Sequence, residues 1–133
     1  MSVETAKRYF ELMDSAEVGT DEVMELYHDD PVLHSSRKGV VRGKEAIREF
    51  YEANSEFFTG GAHRMQNFYQ DGDTVVCEGL LDGSTVEGRE FESVGLTDIM
   101  TFEDGKIKEF RAYMDYSAVL TEIPEDPPAF RED

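Results

Sequence analysis

Cysteine is nearly absent from this sequence, with Cys77 the single example among 133 residues. One thiol allows neither an intrachain disulfide nor a cysteine-based zinc site, and it fits a reducing compartment. Tryptophan is missing and only four prolines occur, but nine phenylalanines and six tyrosines are present. These aromatic residues can supply the hydrophobic core of one domain of this length.

Long apolar stretches are missing as well. No segment approaches the ~18 apolar residues that a membrane-spanning helix needs. The N-terminus MSVETAKRYF has no apolar signal-peptide core. We therefore expect a soluble cytoplasmic protein that has no membrane as its partner.

Positive charge is scarce: 13 lysines and arginines stand against 30 aspartates and glutamates, for a net charge of −17. Nucleic acid and anionic membranes need basic patches and are excluded as partners. The acids are spread through periodic segments and are not gathered in a tail. This distribution predicts a salt-adapted, halophilic protein that folds less well in low salt, because its charges repel one another.

The first half of the chain has helical periodicity. Amphipathic helices are predicted over residues 3–14, after an N-cap at Thr20, and from Lys44 to a stop at Gly60-Gly61. Between the last two, DDPVLHSS is predicted to be a short extended segment because its proline disfavours helix. The following RKGVVRG is predicted to be a loop.

The second half has the period of two that is typical of strands. Four strands are predicted, HRMQNFYQ, TVVCEGLL, EFESVGLTDIMTF and KIKEFRAYMDY, with Asp-Gly turns between them. Helices segregated from an antiparallel sheet define an α+β fold. A curved sheet around the first and third helices would form a cone-shaped barrel with an apolar interior and an open mouth. We assign residues 1–120 to this single domain and 121–133 to an acidic, proline-containing tail.

Asp98 is unusual because aspartate is depleted in strands. Alternation places it on one face with Leu96, Met100 and Phe102, and that face must point inward to avoid exposing three large apolar side chains. Two interpretations remain at this point. Either Asp98 sits at the sheet margin or pairs with Arg111, or it lies in a cavity where desolvation raises its pKa.

The same alternation predicts the other walls of the cavity. His63 opens a strand in which it is grouped with Met65, Asn67 and Tyr69, and it either reaches the cavity or ends exposed. Asp115 falls on the outer face of the last strand. The predicted ligand-binding residues are the inward-facing and aromatic side chains Phe50, His63, Leu96, Met100, Phe102, Phe110, Ala112 and Met114.

The order of elements and several local stretches resemble the nuclear transport factor 2-like superfamily, in its ketosteroid isomerase and SnoaL-like polyketide cyclase branch. The resembling stretches are KRYFELMDS, ELYHDDPVLH, VRGKEAIREFY, YQDGDTVVCEG and TDIMTFEDGKIKEFRAYMD, within residues 5–116. The resemblance implies a cone-shaped α+β fold, which hosts many chemistries and also non-enzymes.

The resemblance also implies site residues. In ketosteroid isomerases a tyrosine of the first helix and a protonated aspartic acid of a late strand form the oxyanion hole. Tyr9 and Asp98 fall on these two positions. The catalytic base of the family, an aspartate, is not matched: depending on the side from which the match is counted, Ser35 or His34 takes its place. His34 is then the candidate base, because an imidazole is suited to proton abstraction.

Two other site chemistries are not expected. Epoxide hydrolases of the superfamily use an arginine and two aspartates at positions that hold Gly79, Leu81 and Ala112 here. A metal site would have to gather the three histidines, which show no metal-binding spacing. We therefore expect neither a metal nor another cofactor.

Three functions remain open. The first is an enzyme that moves a proton next to the carbonyl of a small hydrophobic compound, as an isomerase, cyclase or dehydratase, with Tyr9 and Asp98 stabilising the enolate. The second is a non-catalytic binder of a small apolar ligand. The third is an interaction module that forms a homodimer through the outer face of the sheet, where the exposed residues are Thr97, Ile99, Thr101, Arg111 and Tyr113.

Overall fold

The computed structural model describes residues 2–15 and 19–131. The helices are α1 (Ser2–Asp14), α2 (Thr20–Met24) and α3 (Lys44–Phe57). The strands are β1 (Tyr27–Ser35), β2 (Gly39–Arg42), β3 (Phe58–Asp71), β4 (Thr74–Thr85), β5 (Glu90–Glu103) and β6 (Lys106–Met114). A 3₁₀ turn, Tyr116–Ala118, follows the last strand.

Helices α1 and α3 form where the sequence predicts them because each carries one apolar stripe. In the short α2 the N-cap is Gly19, and Thr20, the predicted N-cap, is the first helical residue. In α1 the buried side chains include Ala6, Tyr9 and Phe10, at three- and four-residue spacing. In α3 Ile47 and Tyr51 are buried one turn apart. Helix α1 contacts β3 and β4, and α3 contacts β1, so the apolar stripes of both helices pack on the inner face of the sheet.

The end of α3 differs from the prediction. The helix ends at Phe57, and the strand that follows it runs through Gly60 and Gly61, which pair with β4. Neither glycine has a positive φ. A Cβ added to either glycine would approach no atom closer than 3.4 Å, whereas a Cβ added to Gly83 of β4 would lie 2.5 Å from the carbonyl oxygen of Gly60, so the close approach of the two strands depends on Gly83. Gly60 and Gly61 thus belong to the strand and do not stop the helix.

The α+β class is confirmed, but the sheet is mixed and has six strands, one more than the predicted extended segment and four strands together. Its order is β2-β1-β6-β5-β4-β3. Residues 39–42 of the predicted loop form β2, an antiparallel partner of β1. Strand β1 runs parallel to β6, because the long connection between them allows the chain to return in the same direction.

The predicted alternation holds in β5 and breaks in β3. Leu96, Asp98 and the inward residues that follow them in β5 are all buried. In β3 the register shifts between Met65 and Asn67, and this bulge reverses the faces of the residues beyond it. Phe68 therefore packs against the core in place of Asn67, and Tyr69 is 58% exposed.

The C-terminal segment lies on the outer face of the sheet. The ring of Phe130 is 4.6 Å from that of Tyr113 and 5.7 Å from that of His34. Pro128 and Ala129 approach Gly39 at the start of β2. This face is partly covered by the chain itself, and the homodimer expected through it stays a prediction. Among the described residues, no helix is both long and apolar enough to cross a membrane.

Candidate active site

A cavity of about 270 Å³ lies between the helices and the inner face of the sheet. Its volume is near the lower end of the range for small-molecule sites. Six of the predicted ligand-binding residues line it: Phe50, His63, Leu96, Phe110, Ala112 and Met114. The prediction was wrong for Met100 and Phe102, which lie deeper along β5 and are packed in the core. Alternation predicts the face of a side chain but not its depth in the cone.

Asp98 lines the cavity, which decides between the two interpretations of its orientation. It is 8% exposed, and no hydrogen bond joins it to another residue of the ranges 2–15 and 19–131. Arg111, its alternative partner, pairs instead with Glu109. Burial raises the pKa of Asp98 to about 7, while the nearby charge of His63 lowers it. Near neutral pH the carboxyl group is thus present in substantial part as a neutral hydrogen-bond donor.

Tyr9 faces the same cavity from α1 and is the end of a chain of tyrosines. Its hydroxyl lies 2.9 Å from that of Tyr51, which in turn lies 2.6 Å from that of Tyr27. When Tyr27 donates to Tyr51 and Tyr51 donates to Tyr9, the hydrogen of the Tyr9 hydroxyl remains for a ligand. Burial raises the pKa of all three tyrosines well above the ordinary value, so they are neutral donors.

The sequence reasoning placed Tyr27 and Tyr51 in the aromatic core and missed their hydrogen bonds. The spacing of Tyr51 on α3, one turn after Ile47, predicts only that it is buried. A buried tyrosine needs a partner for its hydroxyl, but the sequence does not show that α1, β1 and α3 bring three of them together.

Of the two positions expected for His63, in the cavity or exposed at the strand end, the structure shows the first, and His63 lines the cavity. Its Nδ1 is 2.6 Å from Oδ1 of Asp14, the last residue of α1. The backbone N–H of His63 donates to the other oxygen of the same carboxylate at 2.9 Å. Asp14 was not among the predicted site residues, and a separation of 49 positions hides the pair from sequence reasoning.

His34 does not reach the cavity, which corrects its assignment as the candidate base. In β1 the neighbouring Leu33 lines the cavity, so alternation turns His34 to the outer face. Its Nδ1 is 3.0 Å from the carbonyl oxygen of Phe130, and its Nε2 is 3.5 Å from Glu109. An imidazole held there cannot take a proton from a ligand on the other side of the sheet.

Ser35, the other match for the family's base, is fully buried at the end of β1. Its hydroxyl oxygen accepts hydrogen bonds from the backbone N–H groups of Arg37 and Lys38, at 3.1 and 3.2 Å. The serine thus stabilises the turn between β1 and β2. Neither residue at the expected position of the base is therefore placed to act as one.

The cavity wall carries no positive side chain among the described residues. Asp14 and Asp98 are its two carboxylic acids, and neither lysine nor arginine lines it. Arg37 lies just outside, where it donates to the side chain of Asn54 at 3.3 Å. No cluster of three or more potential metal ligands occurs within the described part of the chain. Cys77 is buried beside this region, and burial raises the pKa of its thiol to about 12.

The fold and the site define a class of protein, a cone-shaped α+β barrel with a largely apolar cavity that holds two carboxylic acids. Comparison with known proteins places it in a family. The family model of the SnoaL-like domain matches residues 6–110. This match covers most of the chain, and the protein belongs to the SnoaL-like domain family. A search of the curated proteins found no match.

Solved structures of similar fold support the nuclear transport factor 2-like architecture. A protein from Catenulispora acidiphila with a ketosteroid isomerase-like fold, solved with trimethylamine, is 15% identical, with a TM-score of 0.79 and coverage of 88% of this chain and 89% of that one. A protein of unknown function from Burkholderia pseudomallei is 15% identical, with a TM-score of 0.77 and coverage of 87% and 92%. A putative polyketide cyclase from Sinorhizobium meliloti is 22% identical, with a TM-score of 0.67 and coverage of 85% and 99%. At these identities the likeness shows the fold alone.

Proposed function

We propose that this SnoaL-like protein is an enzyme that moves a proton next to the carbonyl group of a small, uncharged, hydrophobic compound, without a metal or an organic cofactor. The observation that carries the proposal is the Asp98 carboxyl, which is buried in the cavity without a hydrogen-bond partner among the described residues. A buried carboxyl without a partner costs stability. Such groups cluster at functional sites.

The wall of the cavity favours a neutral substrate. The Asp14 carboxylate would repel a carboxylate or phosphate, and no described lysine or arginine lines the wall to bind one. Apolar and aromatic side chains such as Phe50, Leu96 and Phe110 make up the remainder of the surface. These properties suit a flat ketone or quinone-like compound small enough for a volume of about 270 Å³.

The two donors act on the charge that develops during proton transfer. When a proton leaves the carbon next to a carbonyl, negative charge moves to the carbonyl oxygen. The hydroxyl of Tyr9 and the neutral carboxyl of Asp98 both face the cavity and can donate hydrogen bonds to that oxygen. The chain from Tyr27 through Tyr51 strengthens the first donor.

The products of such an enolate include an isomer, a ring closed by an aldol-type step, or an alkene formed by dehydration. The Sinorhizobium meliloti protein of similar fold is a putative polyketide cyclase. This supports the cyclisation of a poly-carbonyl compound as one form of the proposed reaction. The choice among these reactions depends on the substrate.

A matched pair of probes tests the proposal. β-Naphthol has the shape of the enol of β-tetralone, and its fluorescence reports both binding and ionisation. We expect the wild type to bind β-naphthol and to exchange the α-hydrogens of β-tetralone for deuterium in D₂O, as followed by NMR. Asp98→Asn and Tyr9→Phe should each lower the exchange rate about 10²-fold or more. Tyr51→Phe, which leaves Tyr9 in place, should have a smaller effect.

A second candidate function is non-catalytic binding of the same kind of ligand. It is favoured by one observation, that the expected position of the base holds His34 or Ser35 and neither faces a ligand. The test is a wild type that binds β-naphthol but accelerates exchange in none of three kinds of compound: β-tetralone, β,γ-unsaturated ketones and poly-carbonyl compounds. That result would establish the binding function and refute the enzyme.

A further inference from the structure

We propose that His63 is the catalytic base of this site and that Asp14 is the residue that positions it. The inference deepens the proposed function and rests on it, since it supplies the base that the expected position in β1 lacks. The family resemblance offers no base at this place, which is formed by the last residue of α1 and the first part of β3.

The hydrogen bonds between the two residues fix the imidazole. Asp14 binds His63 with both carboxylate oxygens, one on the ring Nδ1 at 2.6 Å and the other on the backbone N–H at 2.9 Å. A carboxylate accepts and does not donate, so the ring hydrogen is on Nδ1. In the neutral form of the imidazole, which is the form that acts as a base, the other ring nitrogen, Nε2, then holds a lone pair. No hydrogen bond or ion pair joins Nε2 to a described residue.

The position of the pair suits a base that exchanges protons with both substrate and water. The side chain of His63 is 16% exposed and that of Asp14 is 28% exposed, and both line the cavity. The ring of Phe10 lies 5.3 Å from the imidazole. Asp98 on β5 lines the same cavity, and the charge of His63 lowers its pKa.

The placement of Asp14 is unfavourable for the helix itself. A negative charge at a helix C-terminus opposes the helix dipole, and Asp14 closes α1. The ion pair with His63 offsets part of the unfavourable interaction with the helix dipole. It also links α1 to β3. The alternative is therefore that the pair is a structural tie, an ion pair that only holds α1 against β3. The experiment has to separate this role from catalysis.

The chemical step balances within the site. The Nε2 lone pair of His63 takes the α-proton, and the electrons of the broken C–H bond form the carbon–carbon double bond of the enolate. The carbonyl π electrons move to the oxygen, where Tyr9 and Asp98 donate hydrogen bonds. The imidazolium so formed faces the Asp14 carboxylate, and its Nε2 proton returns to the same carbon or to another carbon of the enolate.

The first experiment separates the base from the donors. We expect His63→Gln to lower the rate of α-hydrogen exchange in β-tetralone about 10²-fold or more and to leave the affinity for β-naphthol within about twofold of the wild type. His34→Gln and His28→Gln, which replace histidines outside the cavity, are the matched controls and should keep the full rate. Imidazole added to His63→Ala should restore part of the lost rate, which a structural tie would not do.

A spectroscopic measurement tests the role of Asp14. The ¹⁵N chemical shifts of the His63 ring should show a proton on Nδ1 in the wild type and a mixture of tautomers in Asp14→Asn. The exchange rate of this variant should fall about tenfold, because a fraction of the imidazole then carries its proton on the wrong nitrogen.

The possible results are distinct. Full exchange in His63→Gln would overturn the base and leave the proposed function standing. Loss of both exchange and β-naphthol binding in His63→Gln, together with no rescue of His63→Ala by imidazole, would show a purely structural role for the pair and also overturn the base. A wild type that binds β-naphthol but catalyses no exchange overturns the proposed enzyme and the base with it.

Discussion

The two halves of β5 turn the same face to the interior, but one half packs into the core and the other lines the cavity. Toward one end Met100 and Phe102 are 0% and 5% exposed and complete the apolar core. Toward the other end Leu96 and Asp98 line the cavity. We call these the closed end and the open end of the cone.

The difference comes from the neighbours of each residue in the sheet. Met100 is opposite Val75 in β4 and Phe110 in β6, and these side chains fill the space around it. Asp98 is opposite Cys77 and Ala112, which are both small. Small side chains on both sides leave room for a cavity, so one strand can stabilise the fold with one half and hold the site with the other.

The largest expected effect contrasts the two ends with the same kind of truncation. Met100→Ala at the closed end should lower the free energy of unfolding by about 2–5 kcal/mol, since it opens a void in a filled core. Leu96→Ala at the open end should cost no more than about 2 kcal/mol, because Leu96 already borders a cavity. Urea denaturation measures both. Equal losses would show that the open end is packed as tightly as the closed end.

The second prediction concerns the pH dependence of stability at the open end. Burial raises the pKa of Asp98 to about 7 in the folded state, from the ordinary value of 3.8 that it has in the unfolded chain. Between these two values the folded state holds a proton that the unfolded state has lost, so stability decreases as the pH rises and levels off above the folded pKa. Asp98→Asn removes this pH-dependent loss of stability, which is on the order of a few kcal/mol at most.

Urea denaturation of wild type and Asp98→Asn across this pH range measures the difference between them. We expect the free energy of unfolding of the variant to rise relative to that of the wild type as the pH rises from about 4 to about 7. Above that range the difference should change little. A constant difference would mean that Asp98 titrates in the folded state as it does in the unfolded chain.

The smallest expected effect is the salt dependence of the melting temperature, which reports on the outer surface of the cone and not on either end. We propose that the net charge of −17 is an adaptation to salt. Raising KCl from about 50 mM to about 2 M should then screen the repulsion among surface carboxylates and raise the Tm by several degrees. Asp98→Asn should show the same rise, because a buried charge is screened little. A Tm no lower at the low salt concentration would count against salt adaptation.

Much of the fold was predictable because local pattern and packing agree. The apolar stripes of α1 and α3 follow directly from the sequence, as do the Asp-Gly turns at Gly72 and Gly105. The turn predicted at Asp82-Gly83 was wrong, because both residues lie within β4 and pair with β3, and the chain turns toward β5 only at residues 86–89. The inward direction of Asp98 followed from its alternation with Leu96 and Met100. The bulge after Met65 was not predictable, because it depends on how β3 pairs with β4 and not on the composition of β3.

The candidate site was predictable only in part. Tyr9 and Asp98 both face the cavity, as the resemblance implied, but their catalytic roles stay a proposal. His34 stood at the position that the family match favoured, and a single step of strand alternation turned it to the outer face. Asp14 gave no signal, since the last residue of a helix and a histidine 49 positions later have no shared local pattern.

The sequence by itself determined which segments are helices and strands and which face of β5 points inward, because periodicity of apolar residues acts over neighbouring residues. Only the tertiary structure decided which inward side chains meet empty space and which meet other side chains. Those outcomes depend on the size of the neighbours across the sheet, such as Ala112 opposite Asp98. They also depend on contacts between distant elements, such as the tyrosine chain and the pair of Asp14 with His63.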